Sequence, residues 1–432
     1  MKHFKPFILI ALLAIGAFAT PPAESPFSIP QPPFYGQVRT RTEFDQKAMG
    51  DTSVNKMLTN TQLRTRIGFV ATPSEKVEIK VEMQDVRFMG TEPSAAAVTD
   101  PTATTGNAKG VDLLQGYLSV QEGPVKVALG RQKMQLGAGR FISTLEWSPT
   151  SRSFDGLAGN WTMGSGDLTA LYFLVKDTNA TVINDRHSLT GLNYNYKVSD
   201  NLTVEAYGFL DQDRLKNVYS GDTLNRFDLT YLGGHAFGKF GIFAFDGEFT
   251  GQYGSGKKGV GDTIEVTSSA FQLAVRGGVV FPKIKANVGL DMMSGDDKPT
   301  DKTMSLYRAN YYFAHMYFGW MDYFIANPKY GVMDYRADVD ATLLEFEGKT
   351  VALKLQGHYF TPQSAPSGSD DPYGKEVDAE FHLGLYPKSN IVLGAAAFFA
   401  DKSAYMLPAA KLKAGQTDKP GYFFYLMPTF NF

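Results

Sequence analysis

Apolar and polar residues alternate with a period of two along nearly the whole chain, and this restricts the fold more than any other feature. Val77, Ile79, Val81 and Met83 interleave with Lys76, Glu78, Lys80, Glu82 and Gln84. Ile284, Ala286, Val288, Leu290 and Met292 interleave with Lys285, Asn287, Gly289 and Asp291, and Val377, Ala379, Phe381, Leu383 and Leu385 with Glu376, Asp378, Glu380 and His382. A helix would repeat its apolar positions every three or four residues, whereas successive side chains of a strand point to opposite faces. These segments are therefore strands with one apolar face and one polar or charged face.

A soluble sandwich also alternates, with its apolar face turned to the core. Here the alternating segments often run for about ten to fourteen residues, where soluble strands usually have five or six. Short turns at Gly123-Pro124, Ser199-Asp200, 238–241 and Pro387-Lys388-Ser389 alternate with long polar connections at 90–110, 254–262 and 361–374. Aromatic residues gather near segment ends, as in Asn193-Tyr194-Asn195-Tyr196 and Tyr422-Phe423-Phe424-Tyr425. Together these features predict an all-β fold: a transmembrane antiparallel barrel, apolar side to lipid and polar side to lumen, with short periplasmic turns and longer extracellular loops. Closure satisfies every backbone hydrogen bond where no water can.

The alternation predicts about 18 strands. They begin near Phe34, Gln62, Lys76, Leu113, Val125, Phe154, Asp167, Ser188, Leu202, Arg226, Phe240, Ala270, Lys283, Asp334, Thr350, Lys375, Asn390 and Gly421. An even count puts both termini on the periplasmic side. The last strand alternates Tyr422, Phe424, Leu426, Phe430 and Phe432 and ends on that terminal Phe.

Ahead of the barrel, residues 1–19 read as a secretory signal peptide: Lys2 and Lys5 precede an apolar run, and Ala17-Phe18-Ala19 gives a cleavage pattern. The run is short for an uncleaved spanning helix. Residues 20–33 form a proline-rich lead-in, and 34–432 form one barrel domain, which places the protein in a bacterial outer membrane. Charged residues make up 20% of the chain and mean hydropathy is −0.19, which excludes a helical membrane bundle. The absence of Cys excludes disulfides, Cys-ligated metal and a thiol nucleophile, and a net charge of −2 removes any basic footprint for nucleic acid.

A barrel of this size leaves an interior wide enough for water unless loops fold inwards. If Val38, Ile67 and Phe69 face lipid, then Arg39, Arg41, Arg64 and Arg66 face the lumen. Arg131, Lys133, Arg140 and Arg152 follow, and eight of the 14 arginines precede Ser153. A guanidinium fork donates two parallel hydrogen bonds, which suits carboxylate or phosphate. The plainer reading is a lumen wall of interleaved, paired charges, with Glu43, Glu78 and Glu82 as partners and Asp338, Asp340, Asp378 and Glu380 adding acid on later strands.

Gly130-Arg131-Gln132, Gly139-Arg140-Phe141-Ile142, Trp147 and Arg152-Ser153-Phe154-Asp155-Gly156 resemble the signature of the alginate export family of outer-membrane barrels. Ser294-Gly295-Asp296-Asp297 and the run from His315 to Phe324 follow in the family's order. The resemblance implies an 18-stranded monomeric barrel whose positively charged constriction passes a polyanionic uronate polymer. It implies an arginine cluster of Arg131, Arg140 and Arg152, with Asp155 and Asp322 at acidic positions of the same motifs. The chain departs from the family in carrying Ser143-Thr144-Leu145-Glu146 where members commonly hold further charges.

Residues 311–324 do not alternate. They read as a loop folded into the lumen, offering His315, Tyr317, Trp320 and Tyr323 as stacking faces for sugars; the other reading is an aromatic girdle patch. Weaker signals carry little. Gly251 to Lys258 nearly spells a phosphate-binding loop but sits in a polar hairpin loop with Lys258 where Ser or Thr would hold magnesium. The six histidines show no zinc spacing, and Asp291, Asp296 and Asp297 are an acidic loop before they are a calcium site.

The expected function is passive passage or export of anionic or polar saccharides through an arginine-lined constriction. The alternatives are a weakly selective porin and a plugged structural or adhesive barrel. An enzyme on a barrel is not supported, since no Gly-x-Ser-x-Gly occurs. The partners expected are outer-membrane lipid, an anionic or polar oligosaccharide or polysaccharide and periplasmic secretion partners, with no cofactor, metal or nucleic acid.

Overall fold

The computed structural model describes residues 34–49, 57–89, 111–177, 186–215, 224–258, 264–298, 301–365, 371–407, 412 and 420–432. The segments expected to be a signal peptide and a proline-rich lead-in (1–33) and the connection 90–110 lie outside the described residues.

The strands are β1 (Phe34–Gln46), β2 (Leu58–Ser74), β3 (Val77–Phe88), β4 (Asp112–Glu122), β5 (Val125–Gln132), β6 (Phe154–Met163) and β7 (Gly166–Asp177). They continue as β8 (Arg186–Ser199), β9 (Leu202–Asp213), β10 (Leu224–Phe240), β11 (Phe243–Lys258), β12 (Ile264–Val280) and β13 (Ile284–Met293). The last are β14 (Thr303–Met304), β15 (Val332–Phe346), β16 (Lys349–Thr361), β17 (Gly374–Gly384), β18 (Ser389–Ala400) and β19 (Gly421–Asn431). Neighbours in sequence pair antiparallel, β13 pairs directly with β15, and β19 pairs back onto β1. β14 is a two-residue parallel addition to β12, so the closed wall has 18 of the 19 strands.

Polarity is inverted relative to a soluble protein. Val38, Ile67, Leu118, Leu129, Val288 and Val377 are exposed, while Arg39, Arg64, Glu205, Glu248, Asp291 and Asp334 are buried. Lipid satisfies the first set, and the second faces the lumen, into which two connections of the chain fold. The tight turns between β2 and β3, β4 and β5, and so on to β17 and β18, all lie at one end, together with Phe34 and Asn431. The other end carries the long connections. The seam is closed to the last residue: Gly36 N donates to Phe432 O at 3.1 Å and Phe432 N to Gly36 O at 3.0 Å. A side chain at position 36 would collide with the Phe432 ring, so this close approach requires glycine.

Strand starts follow the alternation closely, with three larger differences. β2 begins at Leu58 rather than Gln62, β12 at Ile264 rather than Ala270, and β11 at Phe243 rather than Phe240. The phosphate-loop-like run Gly251 to Lys258 is therefore strand, not a hairpin loop. Two connections fold inwards into the lumen: 133–153, between β5 and β6, and the described residues of 294–331, between β13 and β15. The second contains one helical turn, Ala314–Tyr317.

Candidate functional site

On β1 and β2 the pleat puts Arg39, Arg41, Arg64 and Arg66 on the inner face, and all four are buried. Arg39 and Arg64 are direct cross-strand partners. Like charges placed opposite each other repel, so the wall needs compensation from elsewhere, and segment 133–153 supplies it. Arg39 Nη1 donates to Glu146 O at 2.8 Å and Nη2 to Ser148 O at 3.1 Å. Arg41 Nη1 donates to Trp147 O at 2.5 Å, and its Nε pairs with Glu43 at 2.7 Å. Arg64 Nη1 donates to Glu146 O at 3.1 Å. The Glu146 carboxylate receives Arg66 at 2.8 Å, Lys133 at 3.0 Å and Arg64 at 3.3 Å. Burial pushes the Glu146 carboxyl up, but Arg66, Lys133 and Arg64 outweigh it and hold it at about 2. Of these five cations, four pair with two carboxylates, and the Arg39 guanidinium makes its hydrogen bonds to backbone carbonyls among the described residues.

Arg140 leaves this wall and reaches across the lumen. It pairs with Asp246 at 2.9 Å, Glu248 at 3.1 Å and Asp291 at 3.4 Å. Burial disfavours its charge, yet Asp291, Asp246 and Glu248 hold it firmly protonated. Asp291 is also shared with Arg276 and, at 3.7 Å, with Arg336. The acidic side continues through Glu205 and Asp246 on either side of His235, at 3.2 and 2.8 Å, and through His358 between Asp334 and Asp378. The basic and acidic groups therefore occupy different arcs of the lumen.

The two inward segments are locked together. Ser143 N donates to Tyr311 O at 3.0 Å, Phe313 N to Gly139 O at 3.2 Å, and the Tyr317 hydroxyl to Ala138 O. Trp147 stacks on His315 with centroids 3.8 Å apart and carries the Arg41 guanidinium, 4.0 Å from its ring centroid. His315 bonds Asp322 at 2.9 Å, and Lys47 lies 3.7 Å from the same carboxylate. His315, Tyr317, Trp320 and Tyr323 are all buried inside the barrel. Gly319 packs against the Glu376 carboxylate, which accepts the Met321 N–H at 2.8 Å.

The arginine cluster expected at Arg131, Arg140 and Arg152 does not assemble. Arg131 shares the strand face of the exposed Leu129 and points outwards, paired at 2.7 Å with Asp155, which shares the outward face of Leu157. The unbroken β5–β6 register, Arg131 opposite Asp155, fixes both on that face. Arg152 turns to the Tyr311 carbonyl, and Arg140 crosses to β11 and β13. Asp322 sits within segment 294–331, and Asp291 is taken up by arginines. Sequence reasoning missed the central position of Glu146 and the acidic set Asp246, Glu248 and Glu205. The alternating Asp246 and Glu248 of β11 were the available signal for the latter.

The family model described as alginate export matches residues 33–328. No curated protein matches the chain. Among solved structures, OccAB1 of Acinetobacter baumannii superposes with a TM-score of 0.59 at 12% identity, covering 92% of this chain and 96% of that one. The outer-membrane protein OpdK of Pseudomonas aeruginosa gives 0.56 at 11% identity, covering 92% and 98%. OccK2 of the same organism, solved in complex with glucuronate, gives 0.54 at 10% identity, covering 92% and 97%. At these identities the likeness is one of fold.

Proposed function

The chain belongs to the alginate export family, a porin-like channel of the bacterial outer membrane, and on that premise we propose that its lumen passes anionic, hydroxylated solutes of the uronate class. It does so as a single-chain pore lying in outer-membrane lipid. The observation that carries this reading is the arginine wall of β1 and β2: five cations against two carboxylates, lining the lumen where segment 133–153 narrows it. A water-filled path between low-dielectric walls focuses the field of such charges, and guanidinium forks bind carboxylates in pairs of bonds. OccK2, a relative in fold, was solved with glucuronate, a carboxylated sugar of the same chemistry.

Reversal potentials across a salt gradient test it. The wild type should prefer anions, and Arg39→Gln with Arg64→Gln should abolish most of that preference. The preference should also fade at high salt, because the screening length shrinks from about 10 Å at 0.1 M to about 3 Å at 1 M. Cation preference in the unaltered protein would refute the proposal. One observation favours a plugged structural barrel instead: the arginines are already satisfied by segment 133–153. Absence of resolvable conductance would select that reading.

A further inference from the structure

Beside the arginine wall, the lumenal face of β4 to β7 holds a recess of about 330 Å³ that neither inward segment fills. Its origin is in the register: Ala128 on β5 lies opposite Ala158 on β6, and the next pair towards the long-connection end is Gly130 and Gly156, so small residues meet here beyond the longer Lys126 and Asn160. Gln115, Gln132, Gln135 and Asn160 line the recess together with Tyr117 and Met134. Lys126, the second residue of β5 after the tight turn, opens the recess towards the short-turn end. Lys133 closes it at the other end, and its ammonium also reaches Glu146 at 3.0 Å. The recess therefore abuts the arginine wall and shares one cation with it.

Its polar groups have capacity to spare. Gln132 Nε2 donates to Gly156 O at 3.3 Å and Asn160 Nδ2 to Thr169 Oγ1 at 3.3 Å, while neither side-chain oxygen is used among the described residues. Gln135 makes no side-chain hydrogen bond among the described residues, although it lines the cavity. An amide offers both donors and an acceptor. Several amides around an alanine floor match a pyranose ring, whose rim is hydroxyl and whose face is C–H. A lone inorganic anion would leave those amides without purpose, and an apolar solute would strand them unpaired.

We infer that this recess is a subsite for the pyranose ring of a uronate, with the amides of Gln132, Gln135 and Asn160 on its hydroxyls and Lys133 on its carboxylate. The assignment rests on the channel reading above and adds what that reading lacks, a means of distinguishing a sugar acid from any other anion. A solute entering from the short-turn end meets the recess first. Its carboxylate then competes with Glu146 for Lys133, which passes the solute to the arginines.

The test is current block of the full-length protein in planar bilayers, with glucuronate, acetate or glucose added on the short-turn side. Glucuronate should give resolved block events that acetate does not, and glucose weaker ones. Gln132→Leu with Asn160→Leu should weaken glucuronate block about tenfold or more, since a site built to bond hydroxyls loses its discrimination when the partners go. Ala128→Leu, which fills the floor and leaves every polar group in place, should do the same, so the result does not depend on one variant folding. Small-anion preference should be unchanged in all of them. Equal block by glucuronate and acetate, or wild-type block in both variants, overturns the subsite while anion preference stands. A wild-type protein without anion preference overturns the channel reading and the subsite with it.

Discussion

Three cations, Arg64, Arg66 and Lys133, meet on the carboxylate of Glu146, so the seating of segment 133–153 depends on one titratable group. Its pKa lies at about 2 in the folded barrel, against 4.5 for the ordinary side chain. The folded value is the lower one, so the attraction is complete above about pH 4.5 and is lost as pH falls through about 2. Glu146→Gln should therefore show, at neutral pH, the open-channel noise that the wild type develops only in that acidic window. Single-channel records decide it; identical noise at pH 7 would show that the carbonyl contacts of Arg39 and Arg41 hold the segment unaided. At this scale the sequence was readable where parity was unambiguous. Arg39 and Arg41 flank nothing but alternating neighbours, and Val38 just before them faces out. Arg131 misled because it stands two residues after outward Leu129, in a motif whose charge invites a lumenal reading. Counting the pleat from Leu129 would have placed it outside. Glu146 carried no signal, since its arginine partners Arg66 and Arg64 lie 80 and 82 residues away in sequence, and alternation is silent about loops.

The inward segments act as elements because they bind each other as well as the wall. The Trp147 ring contacts both the Arg41 guanidinium and the His315 ring, and a stacked aromatic pair contributes about 0.5–1.5 kcal/mol beyond its buried area. Segment 294–331 is held to the wall by Arg336 Nη1, which donates to Tyr317 O at 2.9 Å, and by the Met321–Glu376 bond. The Tyr323 hydroxyl adds a bond to Lys47 O at 2.8 Å. Removing 311–324 takes away the Trp147 stack, the Tyr311 carbonyl that anchors Ser143 and the anchor on Glu376 together. Ion conductance should rise, and the barrel should stay folded and heat-modifiable on gels, because the wall pairing β13–β15 does not depend on those residues. Unchanged conductance would mean that 133–153 alone sets the constriction. The aromatic density of 311–324 marks it in the sequence as neither solvated loop nor lipid-facing strand. Segment 133–153 bears no such mark; its charged and aromatic residues are spread among glycines and serines, and only the family resemblance singled it out.

For the whole molecule, inverted polarity made the fold legible. A wall with lipid on one side and a polar lumen on the other forces alternation on every strand, and that alternation alone gives the count of 18. The misplaced starts of β2 and β12 lie at the long-connection end, where β12 opens with Ile264, Glu265, Val266 and Thr267 ahead of the expected Ala270. Closure was inferred only from the need to satisfy backbone groups in lipid. The structure gives it a register that can be checked chemically. Val38 on β1 lies opposite Phe430 on β19, and Gln37 opposite Asn431. Side chains directly across an antiparallel pair have Cβ atoms about 4.5–5.5 Å apart, near the separation a disulfide spans. The chain has no Cys, so Val38→Cys with Phe430→Cys introduces the only two thiols. Oxidation should join the two ends of the folded barrel and stop its heat-induced shift on non-reducing gels, with recovery on reduction. A Val38→Cys, Leu426→Cys pair, displaced by four residues along β19, should not cross-link. Cross-linking of the second pair and not the first would mean that β19 closes onto β1 in a slipped register, which would also move Phe432 away from Gly36.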